Sequence, residues 1–126
     1  MANSVTTEYA REQMAKARAG DTVITTITHM AFGNGGVDVD GNPIPPTGVD
    51  TGLSNELLRK VIDGHTYPIS TTCRYSCRLL KNELVEQAIN EIALIDADGK
   101  MVCKKTMTDK IKDADMEMIF ELDDEF

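Results

Sequence analysis

Ile89-Asn90-Glu91-Ile92-Ala93-Leu94-Ile95-Asp96-Ala97-Asp98-Gly99-Lys100-Met101-Val102-Cys103-Lys104-Lys105 reads as a β-hairpin. Two apolar runs, Ile92–Ile95 and Met101–Cys103, flank a short polar segment, and Asp98-Gly99 suits a tight reverse turn. Two neighbouring stretches carry the same two-residue period. In Ile69–Leu80 the side chains of Ile69, Thr71, Cys73, Tyr75, Cys77 and Leu79 fall on one side, and Ser70, Thr72, Arg74, Ser76 and Arg78 on the other. Met116, Met118, Phe120 and Leu122 alternate with Glu117, Ile119 and Glu121, a strand with an acidic outer face.

Upstream of these strands the pattern changes. Ser4–Ala19 is rich in Ala, Glu, Gln, Lys and Arg and predicts a helix, capped by Asn3 or Ser4 and closed by Gly20. Its apolar face, Val5, Tyr9 and Met14 with Ala10 and Ala17, is thin, so the helix is expected to dock on something larger or between subunits. Thr22–Phe32 is dense in β-branched residues and reads as a strand. Ile24, Met30 and Phe32 lie on one of its faces and Val23, Ile27 and Ala31 on the other, the pattern of a central strand or of one at a subunit contact. Gly33–Gly52 holds six of the nine glycines and three of the four prolines and reads as a long loop. In Leu53–Ile62 the spacing of Leu53, Leu57 and Val61, and of Leu58 and Ile62, predicts a second helix, stopped by Gly64.

The expected fold class is therefore α+β, with a mostly antiparallel sheet, an N-terminal helix and one further helix after the Gly/Pro-rich loop. A single domain over residues 1–126 is expected, with a helix over 1–20, a strand over 21–32, a loop over 33–52, a helix over 53–63 and antiparallel strands over 66–126.

Composition excludes several classes. The chain is long enough to bury a core without staples, and no apolar run is long enough to span a bilayer. Glu8, Arg11 and Glu12 fall where the apolar run of an export signal would lie. Thirteen Lys and Arg against 21 Asp and Glu give −8, which disfavours nucleic acid and anionic membrane surfaces as partners. The excess is localised: eight acids and two lysines between Asp109 and Phe126 leave only −2 for the rest. That patch reads as a solvated edge or as a docking surface for a basic partner. Three cysteines, Cys73, Cys77 and Cys103, with no CxxC, argue against a secreted disulfide framework and for a reducing compartment.

No catalytic machinery is legible. Asp38-Val39-Asp40-Gly41-Asn42 and Asp96-Ala97-Asp98-Gly99 open like calcium loops, but neither has both the third ligand and the closing glutamate, so the first reads as a plain loop and the second as a hairpin turn. Cys73 and Cys77, four apart on a strand, lie roughly 13 Å apart, too far for one zinc or a disulfide even with His29 or His65 nearby. They are expected to be buried, unpaired core thiols. No motif ties either histidine to a nucleophile, and Gly33-Asn34-Gly35-Gly36 is not followed by a helix with a lysine, as a phosphate cradle requires. An enzyme is not expected, nor a cofactor or metal. Glu56 and Arg59, i and i+3 on the expected helix, form either a surface ion pair or one turned inward to fix the loop or a neighbouring subunit.

Three blocks resemble one family. Thr28-His29-Met30-Ala31-Phe32-Gly33-Asn34-Gly35-Gly36, Leu53-Ser54-Asn55-Glu56-Leu57-Leu58-Arg59 and Ile89–Met101 are similar, in order and spacing, to segments of the phage tail-collar fibre N-terminal family. Leu84–Ala88 and Ala93 depart from its pattern, the first where aromatics are usual and the second where glycine is. The resemblance implies a non-enzymatic structural protein of a phage or prophage tail that attaches the tail fibre to the baseplate through protein–protein contacts. It also implies a homotrimer, and a location in the virion tail after assembly in the bacterial host cytoplasm. The competing reading is a small accessory or assembly protein for a tail fibre encoded elsewhere. With no shaft sequence after Phe126, the chain is expected to be a short stand-alone relative or a fragment. Asn34, Gly35, Gly36, Asn55, Glu56 and Arg59 are the expected interaction residues, with baseplate or tail-fibre proteins as partners.

Overall fold

The computed structural model describes residues 3–126. Among these residues, eight strands and one helix follow the order β1 (Ser4–Thr6), α1 (Glu8–Arg18), β2 (Ile27–Gly33), β3 (Glu56–Val61), β4 (Gly64–Ile69), β5 (Thr72–Leu79), β6 (Ala88–Asp96), β7 (Met101–Ile111) and β8 (Met118–Glu125). They build two sheets, both wholly antiparallel. The larger has the order β1-β7-β6-β2-β3 and the smaller β4-β5-β8.

The expected α+β class is thereby corrected to a mostly β fold with one short helix. The second helix, expected over 53–63, does not form: Glu56–Val61 is β3, paired with β2. Its apolar stripe serves a strand equally well, because Leu58 lies opposite Phe32 and reaches the core with it. The open edge of β2 supplies main-chain partners, and tertiary pairing of that kind overrides a modest helix preference.

The other boundaries shift for local reasons. The expected first helix begins as strand β1, and Thr7 rather than Asn3 or Ser4 is the N-cap, its hydroxyl accepting from Ala10 N–H. Gly20, at φ 85°, does close the helix: Gly20 N–H donates to Ala17 and Asp21 N–H to Lys16, a Schellman ending. The strand expected from Thr22 starts only at Ile27. Ile69–Leu80 divides at a turn over Ser70 and Thr71, leaving Ile69 on β4 and exposed. The β6–β7 hairpin stands as read, with Gly99 at φ 78° and its N–H donating to the Asp96 carbonyl.

The main core lies between the sheets. Met30 and Phe32 from β2, Ile92 and Leu94 from β6, Cys77 and Leu79 from β5, and Phe120 and Leu122 from β8 pack together. The Phe32 and Phe120 rings meet edge to face, centroids 5.2 Å apart. The opposite face of the large sheet carries a second, smaller cluster of Ala31, Ala93, Ile95 and Met101, with Leu53 from the long loop against it. Both faces of β2 are thus covered by this chain itself.

Cys73, Cys77 and Cys103 are buried free thiols. Burial pushes Cys77 up to about 11 and Cys103 up to about 12, so neither is a thiolate at neutral pH. Cys77→Ala is expected to cost about 1–2 kcal/mol through loss of a small buried group, read as a lower urea midpoint at unchanged slope.

Candidate functional site

The three sequence blocks meet at one place, around the fully buried carboxylate of Glu91. Its Oε2 accepts from Gly35 N–H at 2.9 Å and Asn55 N–H at 2.8 Å, and its Oε1 from Ser54 N–H at 2.8 Å. Lys104 Nζ lies 3.9 Å from Oε1 and also reaches Asp50 Oδ2 at 3.4 Å and the Gly52 carbonyl at 3.3 Å. Burial would raise the Asp50 carboxyl, but the Thr47 N–H and hydroxyl and Lys104 hold it below its ordinary value. Beside Glu91, Asn90 Oδ1 accepts from Gly36 N–H at 2.7 Å, and its Nδ2 donates to the Asn34 carbonyl and to Asp109.

This geometry explains the glycines. A Cβ at Gly33 would stand 2.6 Å from Glu91 Oε2, and one at Gly35 would stand 2.6 Å from Ser54 Cβ. One at Gly36 would overlap the Asn90 carbonyl oxygen. The chain passes so close to β6 that only glycine fits. Charge-assisted bonds from main-chain N–H groups then fix both ends of the long loop to one buried anion.

Of the expected interaction residues, Gly35 and Gly36 lie in this junction, and Asn34, Asn55, Glu56 and Arg59 form the rim outside it. Asn55 Nδ2 donates to Asn34 Oδ1, and Asn34 N–H donates to the Asn55 carbonyl. Arg59 grips Glu56 with two bonds, Nε to Oε2 at 3.1 Å and Nη2 to Oε1 at 2.9 Å, and its Nη1 reaches the Gly99 carbonyl at 3.4 Å. An i, i+3 pair on a strand should point to opposite faces. Here Gly33 pairs with Glu56 and Phe32 with Leu58, so Leu57 is an extra residue that restores both side chains to one face.

Sequence reading missed Glu91, Asn90 and Lys104. The available signal was an acid and an amide inside an otherwise apolar strand, a pattern that demands buried partners. The two calcium-like loops are turns whose first acid is already engaged by main-chain N–H groups. Asp38 Oδ1 accepts from Asp40 and Asn42 N–H, and Asp96 Oδ1 from Asp98 and Lys100 N–H. His29 Nδ1 faces the Thr28 hydroxyl, whereas His65 packs beside Tyr67 and Tyr75. Among the described residues no group of three or more metal-ligating side chains converges, and no helix is long and apolar enough to cross a membrane.

The C-terminal acids do not all lie on a solvated edge. Glu117 and Glu121 are exposed and lie by Arg78 and Arg74, as the alternation requires. Asp124 continues the inward series of Phe120 and Leu122 and is buried, and desolvation pushes its carboxyl up to about 6.

The molecule is thus a two-sheet antiparallel β domain whose long loop is bonded at both ends to one buried carboxylate. The family comparison gives that class its particular member. The model of the phage tail-collar fibre protein N-terminal region matches residues 1–119, and the chain belongs to that family, a structural component of phage tails. No curated protein and no solved structure matches the chain.

Proposed function

We propose that this domain attaches a tail fibre to the phage baseplate by protein–protein contact, without catalysis, through the rim of Asn34, Asn55, Glu56 and Arg59. The observation that carries this reading is the convergence of three distant segments on Glu91, which holds an exposed polar rim in a fixed shape. Rigid, preorganised surfaces lose less entropy on association. Arg59 adds a planar donor group of the kind enriched at interfaces.

A homotrimer is part of the proposal. The apolar faces of β2 no longer call for a subunit contact, since both pack within the chain. Val23, 84% exposed, remains as an apolar group for a symmetry mate. Light scattering of the protein, alone and mixed with baseplate and fibre proteins of one phage, tests both parts. A trimer mass and a co-eluting complex weakened by the double variant Asn55→Ala, Arg59→Glu are expected. A 13.8 kDa species would remove the trimer. Failure of every mixture to form a complex would remove the attachment reading.

A further inference from the structure

An open groove of about 490 Å³ runs between α1, the segment 24–27 and the small sheet. Its lining is mostly apolar, and at its rim Ile24, Tyr67 and Phe126 are 52%, 68% and 69% exposed. Asp124 stands in its wall, with only 6% of its surface exposed. Asp124 Oδ1 is buried and has no hydrogen-bond partner among the described residues. The nearby cation Arg74 is committed to Asp123 and Glu121 on the outer face of the sheet, at 2.9 and 3.3 Å. A charged group buried without a partner is costly, and the cost is relieved when a cation or donor reaches it.

We propose that this groove receives an extended polypeptide segment of a neighbouring tail protein. The segment places an apolar side chain against Ile24, Tyr67 and Phe126, and a lysine or arginine at Asp124. Charge complementarity sets the basic residue, since Asp124 stands in a mostly apolar wall with no ion pair among the described residues, and a cation with an aliphatic stem suits both. The polypeptide character follows from β4, which lines the groove with His65 and Tyr67 and, among the described residues, pairs only with β5. Its other edge leaves main-chain donors and acceptors for an added extended chain. The source of the segment rests on the attachment reading, but the chemistry of the groove does not.

The test is an NMR titration of the ¹⁵N-labelled chain with acetylated, amidated Leu-Lys-Phe-Val, with the same peptide carrying norleucine for lysine, and with hexylamine. Saturable shifts at Ile24, Tyr67 and Asp124 are expected for the lysine peptide, with binding weaker by about ten-fold for the norleucine peptide. Asp124→Asn should erase that difference, and Tyr67→Ala, at an exposed position, should weaken both peptides. A flat titration, or equal affinity of the two peptides for the unsubstituted chain, would overturn the proposal. Hexylamine binding as tightly as the lysine peptide would also overturn it, by assigning the groove to a small amine. A flat titration beside an intact complex with tail proteins would sink the groove alone; a good titration with no such complex would sink the attachment reading alone.

Discussion

Replacing Glu91 by alanine is expected to destabilise the domain by about 3–5 kcal/mol, the usual cost of removing one partner of a buried, charge-paired group. Three main-chain N–H groups, those of Gly35, Ser54 and Asn55, lose their acceptor at once, and Lys104 keeps only Asp50 and the Gly52 carbonyl. Domains of this size are stable by about 5–15 kcal/mol, so the variant should be close to its folding limit at ambient temperature. Urea unfolding at pH 7 gives the magnitude. Hydrogen exchange locates it: in Glu91→Gln, which keeps the shape, the single amide oxygen can still serve Gly35 and Asn55, so the Ser54 amide, left facing the NH2 group, should lose protection. A loss below about 1 kcal/mol would mean that the loop is held by its other contacts and that the rim is not built on Glu91.

Asp96→Ala is expected to cost about 2–4 kcal/mol, because one carboxylate joins three parts of the molecule. Oδ2 accepts from the Tyr9 hydroxyl of α1 at 2.7 Å and from the Thr25 hydroxyl at 2.8 Å, while Oδ1 caps the hairpin turn. Burial alone would raise this carboxyl, but the Tyr9 hydroxyl, the Lys100 N–H, the Thr25 hydroxyl and the Asp98 N–H together hold it below its ordinary value. A depressed folded-state pKa means that its stabilisation is present above the unfolded value near 3.8 and is lost as the pH falls through the folded one. The penalty of Asp96→Ala should therefore be full at pH 7 and shrink below about pH 4, as thermal melts of both proteins across that range would record. A penalty that did not change with pH would assign it to lost packing rather than to the carboxylate. Tyr9→Phe should reproduce the part that docks the helix.

The elements that could be read from sequence are those specified by neighbours in the chain. The β6–β7 hairpin follows from its apolar runs and its Asp-Gly turn, the end of α1 from Gly20, and the inward series of β8 from its two-residue period. Strand β3 reads as a helix in sequence because Leu53, Leu57, Leu58, Val61 and Ile62 suit either period over so short a run. The open edge of β2 decides between them, and it is made by residues more than twenty positions earlier. Strand β1 is still less visible, since Ser4 pairs with Lys105, a hundred residues away. At the site, the glycines were singled out but the reason for them was not. The acceptor that draws the chain inward is a side chain on β6, and its donors are main-chain groups that every residue but proline carries. Asp124 was counted among eight C-terminal acids, although carrying the Phe120–Leu122 alternation one step further sets it on the inner face.

The order in which the strands leave the ribosome has a consequence for folding. The large sheet is complete once β7 has been made, whereas the small sheet waits for β8, whose Phe120 and Leu122 close the main core. Until then Met30, Phe32, Ile92 and Leu94 line a sheet face with only part of its cover. The nascent domain therefore passes through a stage with an uncovered apolar sheet, the kind of species that aggregates or recruits chaperones. A destabilising change in β8 would then be felt first as lower soluble yield, before any loss of contact with partners.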